Sequence, residues 1–170
     1  MRGYGVAPRP TTTVGSMPVV NVWWPATVAL RSAVLGWDHS AVKPDLDPEA
    51  RHLALAEGGK IVAVVSMMPW PCPGYASIPG VYLWAMAVAA DRQRSGRGRR
   101  LLSEVVDYGR RRGARIVWTD ARATAVPFYE ACGARTIGEQ YVDEVTGRID
   151  RGVVIEISDG RISDPAQPRL

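Results

Sequence analysis

Cysteine is scarce: Cys72 and Cys132 are the only two in 170 residues. Two isolated thiols cannot form a disulfide framework and lack the clustered Cys/His spacing of a zinc site, so both are read as reduced thiols and no metal is expected. Long apolar runs are missing as well. No window approaches the roughly 18 apolar residues of a membrane span, and Met1 to Ser16 lacks the apolar stretch of a signal peptide. Neither a membrane partner nor secretion is expected, which leaves the cytoplasm. Lysine is nearly absent, with Lys43 and Lys60 the only two among 21 basic residues. There is no internal repeat, and a chain that is 46% hydrophobic and 22% charged is neither collagen, coiled coil nor disordered tail. One compact domain with a real core is expected.

The net charge of +4 is unevenly spread. Between Asp91 and Arg115 lie nine arginines against three acids, a local +6, so the remainder carries −2. A cluster of this kind suits nucleic acid or a small polyphosphate, and its surroundings must decide between them.

Residues 1–18 are rich in Gly, Pro and Thr without a hydrophobic period, and 158–170 are similar. Both are read as flexible ends around a domain spanning 19–157. Ala26 to Leu35 has the spacing of a short amphipathic helix, and Asp47-Pro48-Glu49 looks like the start of a second. His52 to Glu57 and Lys60 to Met67 flank Gly58-Gly59 and read as a β-hairpin. Pro69 to Pro79 is a loop. Val81 to Ala89 is an apolar run of strand length and is placed as a buried central strand. Leu101, Leu102, Val105, Val106 and Gly109 recur at helical spacing up to Arg110-Arg111-Arg112-Gly113. Ile116 to Trp118 is a strand, Ala123 to Ala131 a helix, and Thr136 to Glu144 with Gly152 to Ile157 a closing pair of strands. The order makes a mixed α/β sheet, α+β in class.

The stretch from Met86 to Leu102 carries the chemistry. A buried strand runs into a glycine-punctuated turn and then opens a helix, which aims backbone N–H groups and a helix dipole at phosphate. The spacing Gln93-x-x-Gly96-x-Gly98 lacks the lysine of an ATPase P-loop and the third glycine of a dinucleotide fingerprint. A phosphate ligand of another kind is needed.

These residues resemble the pyrophosphate motif of the GNAT superfamily of acyl-CoA-dependent N-acyltransferases, Gln/Arg-x-x-Gly-x-Gly/Ala. Downstream, Ala125-Val126-Pro127-Phe128-Tyr129-Glu130-Ala131-Cys132-Gly133-Ala134 is similar to the family's Ala-x-x-Phe-Tyr-Glu-x-x-Gly-Phe, with Ala134 in place of the usual Phe. Trp118 to Arg122 is similar to a bacterial subgroup with Asn-Ala-Arg at this strand end, where Asp120 now stands for Asn. The resemblance covers roughly Leu30 to Ile157. It implies a single domain with a mixed, largely antiparallel sheet, splayed at the central strands to admit pantetheine and flanked by helices.

It also implies acetyl-CoA as acyl donor, held by Gln93, Arg94, Ser95, Gly96, Arg97, Gly98 and Arg99, with Phe128 beside them. A backbone N–H of Met86, Ala87 or Val88 then faces the thioester oxygen. Tyr129 would face the CoA sulfur and, as a phenol, protonate the departing thiolate. Asp120 is the first candidate for general base, with His52 or Glu57 second. Trp24, Trp70 and Trp84 are candidates for an aromatic wall around the acceptor. The expected reaction is transfer of an acetyl or short acyl group to the primary amine of a small molecule by direct attack. Cys132 is not expected to be acylated, because no histidine lies near it in sequence. The arms around the acceptor carry aromatics and few charges, which suggests a compact, partly apolar amine. Other readings are a protein N-terminal or lysine acetyltransferase, a noncatalytic CoA-sensing domain, and a nucleic-acid binder, the last disfavoured because no RNP or recognition-helix pattern is present. A homodimer is left open.

Overall fold

The computed structural model describes residues 17–36, 43–144 and 146–157. The expected flexible ends therefore fall outside the described residues up to 16 and from 158. Met17 is buried in the main core.

Among the described residues, seven strands form one sheet in the order β1-β2-β3-β4-β5-β7-β6: β1 Val19–Val22, β2 Arg51–Glu57, β3 Lys60–Pro69, β4 Gly80–Val88, β5 Ile116–Arg122, β6 Arg135–Val142 and β7 Ile149–Glu156. Three helices accompany them: α1 Pro25–Leu35, α2 Arg97–Arg111 and α3 Val126–Glu130. Every neighbouring pair is antiparallel except β4 and β5. The α/β fold with a mixed, largely antiparallel sheet is thus present. Strand β1 was not expected. It adds to the edge of β2 through pairs such as Val19 with Leu55.

The sheet is open where β4 meets β5. Their parallel pairing runs through Gly80–Ile116 and Val81–Val117 and stops at Tyr82–Trp118, while both strands continue. One cause lies on the other side of β4. Between the pairs Val64–Ala87 and Ser66–Trp84, β4 uses one residue more than β3, and Ala85 adopts φ of 51°. An extra residue in a left-handed conformation is a β-bulge, which bends its strand and redirects the backbone beyond it.

The apolar stripe of α2 (Leu101, Leu102, Val105, Val106) is fully buried on β3 and β4 in the main core. Helix α1 lies over the opposite face, where Leu30, Val34 and Leu35 pack against Ala54, Val64 and Ala87. It also carries the fully buried Arg31, which donates to Asp45 Oδ2 at 2.7 Å and to Ser66. The Trp84 indole donates to Asp45 Oδ1 at 3.0 Å, and His52 Nδ1 is 2.7 Å from Ser66 Oγ. This polar group ties α1 to three strands.

Asp47-Pro48-Glu49 does not open a helix. A 3₁₀ turn, Lys43–Leu46, precedes it, and the Asp47 carboxylate accepts the Glu49 amide at 2.8 Å, closing an Asx turn before β2. Helix α3 is shorter than the expected Ala123 to Ala131, because Ala123–Ala125 forms a 3₁₀ turn.

Candidate active site

The expected phosphate loop joins β4 to α2. Helix α2 starts at Arg97, with Gly96 as its N-cap at φ 83°, and Arg94 is also left-handed at φ 55°. No side chain caps the helix, so its first N–H groups remain available to an anion. The Gln93 amide donates to the Val88 carbonyl at 3.1 Å, folding the loop back on the end of β4. At Gly98 a side chain would meet the Phe128 ring at 3.2 Å, so a glycine is what lets α2 pass over α3.

The arginines of this loop do different work. Glu57, at the end of β2, accepts from Arg92 Nε at 3.0 Å and from Arg97 Nε at 2.6 Å. Those two hydrogen bonds hold its carboxyl below the usual carboxylate range. Glu57 is therefore a brace of the loop rather than a free base, a role without a local signal in the chain, since 35 and 40 residues separate it from its partners. Arg99 donates to the Ala131 carbonyl at 2.7 Å. Arg94 is exposed and has no hydrogen bond or ion pair among the described residues. Farther along α2, Arg100 pairs with Glu104 at 2.6 Å and Arg110 with Asp107. Much of the apparent basic patch is neutralised internally.

Two recesses open on the split. One, of about 510 Å³, is lined by Met86, Ala87 and Val88 of β4, the 92–99 loop and Phe128. The other, of about 390 Å³, is lined by Tyr82, Trp84, Asp120, Tyr141 and Asp150 among others. Met86, Ala125 and Tyr129 line both, so the recesses meet at those residues.

Tyr129 is 7% exposed, and its ring meets Phe128 edge to face at 5.0 Å. Burial is the main reason its phenol pKa is pushed up, with Cys132 and Tyr82 adding to it. Asp120 stands at the end of β5, open to the second recess. Loss of hydration between the cleft walls raises its carboxyl pKa, Asp150 and Asp143 raise it further, and a hydrogen bond from Tyr141 opposes them. Sequence reasoning missed Tyr141, whose place depends on the pairing of Tyr141 with Asp150 across β6 and β7.

The remaining candidates separate. Trp84 is buried in the wall of the second recess, stacked on Tyr82 at 5.6 Å. Trp24 and Trp70 do not reach it. Trp24 precedes α1 and lines a different hollow with Trp23 and His52. Trp70 lies beyond β3, half exposed, its carbonyl accepting the Trp118 indole at 2.9 Å. His52 belongs to the polar group beneath α1, and burial lowers its pKa. Cys72 and Cys132 are buried free thiols; Cys132 is 1% exposed and burial raises its pKa, conditions that disfavour a thiolate nucleophile. The second recess is apolar over much of its lining and also carries Asp120, Asp143 and Asp150 together with Arg122 and Arg148. These side chains come from β5, β7 and the turn before β7, which only the sheet brings together.

A sheet parted at its single parallel pair, with an anion-seeking helix beside the gap, is the architecture of an acyltransferase that threads its donor between two strands. The chain belongs to the acetyltransferase (GNAT) family, whose model matches residues 18–134. That family uses acetyl-CoA and acts on amines. Over 73 residues the chain is 37% identical to the [ribosomal protein bS18]-alanine N-acetyltransferase of Escherichia coli K12, covering 40% of this chain and 49% of that protein. The match thus spans about half the length of the curated relative. The solved structure of the Escherichia coli ribosomal-protein-S18-alanine N-acetyltransferase superposes with a TM-score of 0.62 at 21% identity, covering 85% of this chain and 96% of that one. An aminoglycoside 6′-N-acetyltransferase complexed with coenzyme A superposes at 0.66 and 14% identity, covering 85% and 99%. At these identities the likeness is one of fold. No helix among the described residues is long and apolar enough to cross a membrane, and no group of three or more His, Cys, Asp or Glu among them could hold a metal.

Proposed function

We propose that the protein transfers an acetyl or other short acyl group from acyl-CoA to the primary amine of a small molecule by direct attack. The observation that supports this most is the meeting of the two recesses at Met86, Ala125 and Tyr129. Donor and acceptor entering from the two sides would bring thioester and amine together without a covalent enzyme intermediate.

The pyrophosphate lies on the N-terminus of α2, against the backbone N–H groups from Arg94 to Arg99, and pantetheine follows β4 through the gap. The thioester oxygen, which gains negative charge on attack, faces a backbone N–H within Met86 to Val88. The amine nitrogen forms the new C–N bond, the C–S bond breaks, and Tyr129 donates its proton to the departing sulfur. Burial makes a free tyrosinate unfavourable, so that donation is coupled to reprotonation of the phenoxide as the nitrogen gives up its own proton. Asp120, directly or through water, takes the proton that the incoming ammonium loses before attack.

Initial rates with acetyl-CoA and an amine panel, alongside equilibrium binding of CoA and a random oligonucleotide, test this reading. It predicts intersecting double-reciprocal lines and CoA binding that the oligonucleotide does not displace. Parallel lines with acyl label on Cys132 would overturn direct attack, and CoA binding without transfer to any amine would leave a sensing domain. A second reading, acetylation of a protein N-terminal amine, draws on the 37% identity to the bS18-alanine enzyme. Peptides turned over far faster than small amines would establish it in place of the first.

A further inference from the structure

The strand register gathers carboxylates on one wall. Asp120 and Arg122 lie on one face of β5; Arg122 pairs across the sheet with Asp150 of β7, and Asp150 with Tyr141 of β6. All four line the acceptor recess. Asp150 is the unusual member. Its side chain is 3% exposed, one oxygen is held by Arg148 at 3.0 Å, and the other, Oδ1, has no hydrogen-bond partner among the described residues. A buried carboxylate oxygen without a donor is costly, and it stays so until a donor arrives. The Arg148 guanidinium covering it is a quarter exposed and lines the same recess. Tyr82 and Trp84, stacked at 5.6 Å, line the same recess, and Tyr82 also packs on Trp118 at 4.4 Å.

We propose that the acceptor recess selects small amines bearing a second cationic nitrogen, which displaces the Arg148 guanidinium from the Asp150 carboxylate while the first amine stands near Asp120. The proposal rests on the transferase reading and names its acceptor class: short diamines, polyamines and amines of similar charge. Asp120 serves the reacting nitrogen and Asp150 the distal one. A monoamine of the same length fills the recess but leaves Asp150 to Arg148.

Acetyl-CoA-dependent kcat/KM is measured for diaminobutane and for butylamine. The diamine is expected to exceed the monoamine by about ten- to a hundredfold, the worth of one hydrogen bond to a charged group. Asp150→Asn should bring that ratio toward one. Should Asp150→Asn fail to fold, Arg148→Gln serves in its place: with its competitor gone, the diamine should gain further over the monoamine. Equal kcat/KM for the two amines, or a ratio that neither substitution moves, overturns the proposal. If no amine is acetylated although CoA binds, the transferase reading fails by itself. Calorimetric titration of both amines into the CoA complex then reads the cation site directly. Tighter diamine binding by the same factor supports the proposal and equal binding overturns it.

Discussion

Asp120 is a carboxylate whose pKa is raised by lost hydration and by neighbouring acids. Because its folded pKa is raised, the folded state prefers the protonated form, so its contribution to stability is present at low pH and lost as pH rises through the folded value. Asp120→Asn removes a charge that faces Asp150 and Asp143, so the variant should melt at a higher temperature than the parent at neutral pH while turning over more slowly. A melting temperature that falls would contradict the charge balance described for the cleft. The same shift sets an acid limb of the parental pH–rate profile above the ordinary carboxylate range, where the base becomes protonated. Tyr129→Phe keeps the edge-to-face contact with Phe128 and loses only the hydroxyl. Turnover should drop by roughly 10²- to 10⁴-fold with acetyl-CoA affinity little changed. Parental turnover under conditions where chemistry limits the rate would assign the proton to water.

Among the elements, the 92–99 loop and α2 act as one piece. Gly96 needs a left-handed backbone, and Gly98 needs the absence of a side chain against Phe128. Gly98→Val should therefore push α2 from α3 and weaken acetyl-CoA binding as well as rate, in contrast to Tyr129→Phe. Direct titration of CoA distinguishes the two, and wild-type affinity in Gly98→Val would remove the loop from the donor site. Glu57 joins the same piece from the far end of the β2–β3 hairpin by anchoring Arg92 and Arg97.

At the scale of the molecule, the polar group of Arg31, Asp45, His52, Ser66 and Trp84 fastens α1 to the sheet beside the cleft. Arg31 and Asp45 have side chains 2% and 0% exposed, so Asp45→Asn leaves a buried guanidinium without its counter-charge. A loss of about 3–5 kcal/mol is expected for breaking such a pair, readable by denaturant unfolding. His52 adds a pH dependence. Its folded pKa is lowered, chiefly by burial, so its contribution is intact above the ordinary imidazole range and declines as pH falls through it. Stability that did not weaken there would mean that the imidazole takes up its proton as readily in the folded state as in the unfolded chain.

The local features of the site were legible in the chain itself. The Val81 to Ala89 run, the glycines at 96 and 98 and the α2 stripe are contiguous signals, in which period and turn chemistry act within a few residues. They marked the 92–99 loop, the central strand and the helix that the loop opens, and the second motif marked the helix that carries Tyr129. Strand β1 was not legible, because four residues of an edge strand carry little pattern, and Asp47-Pro48-Glu49 misled because an Asx turn and a helix N-terminus use the same side chain. The second recess belongs to tertiary structure. Asp120, Tyr141 and Asp150 share a recess only because β7 inserts between β5 and β6, while Trp24 lines a separate hollow with Trp23 and His52. Which carboxylates face one another is set by cross-strand register, a relation between residues far apart in the chain that no local period records.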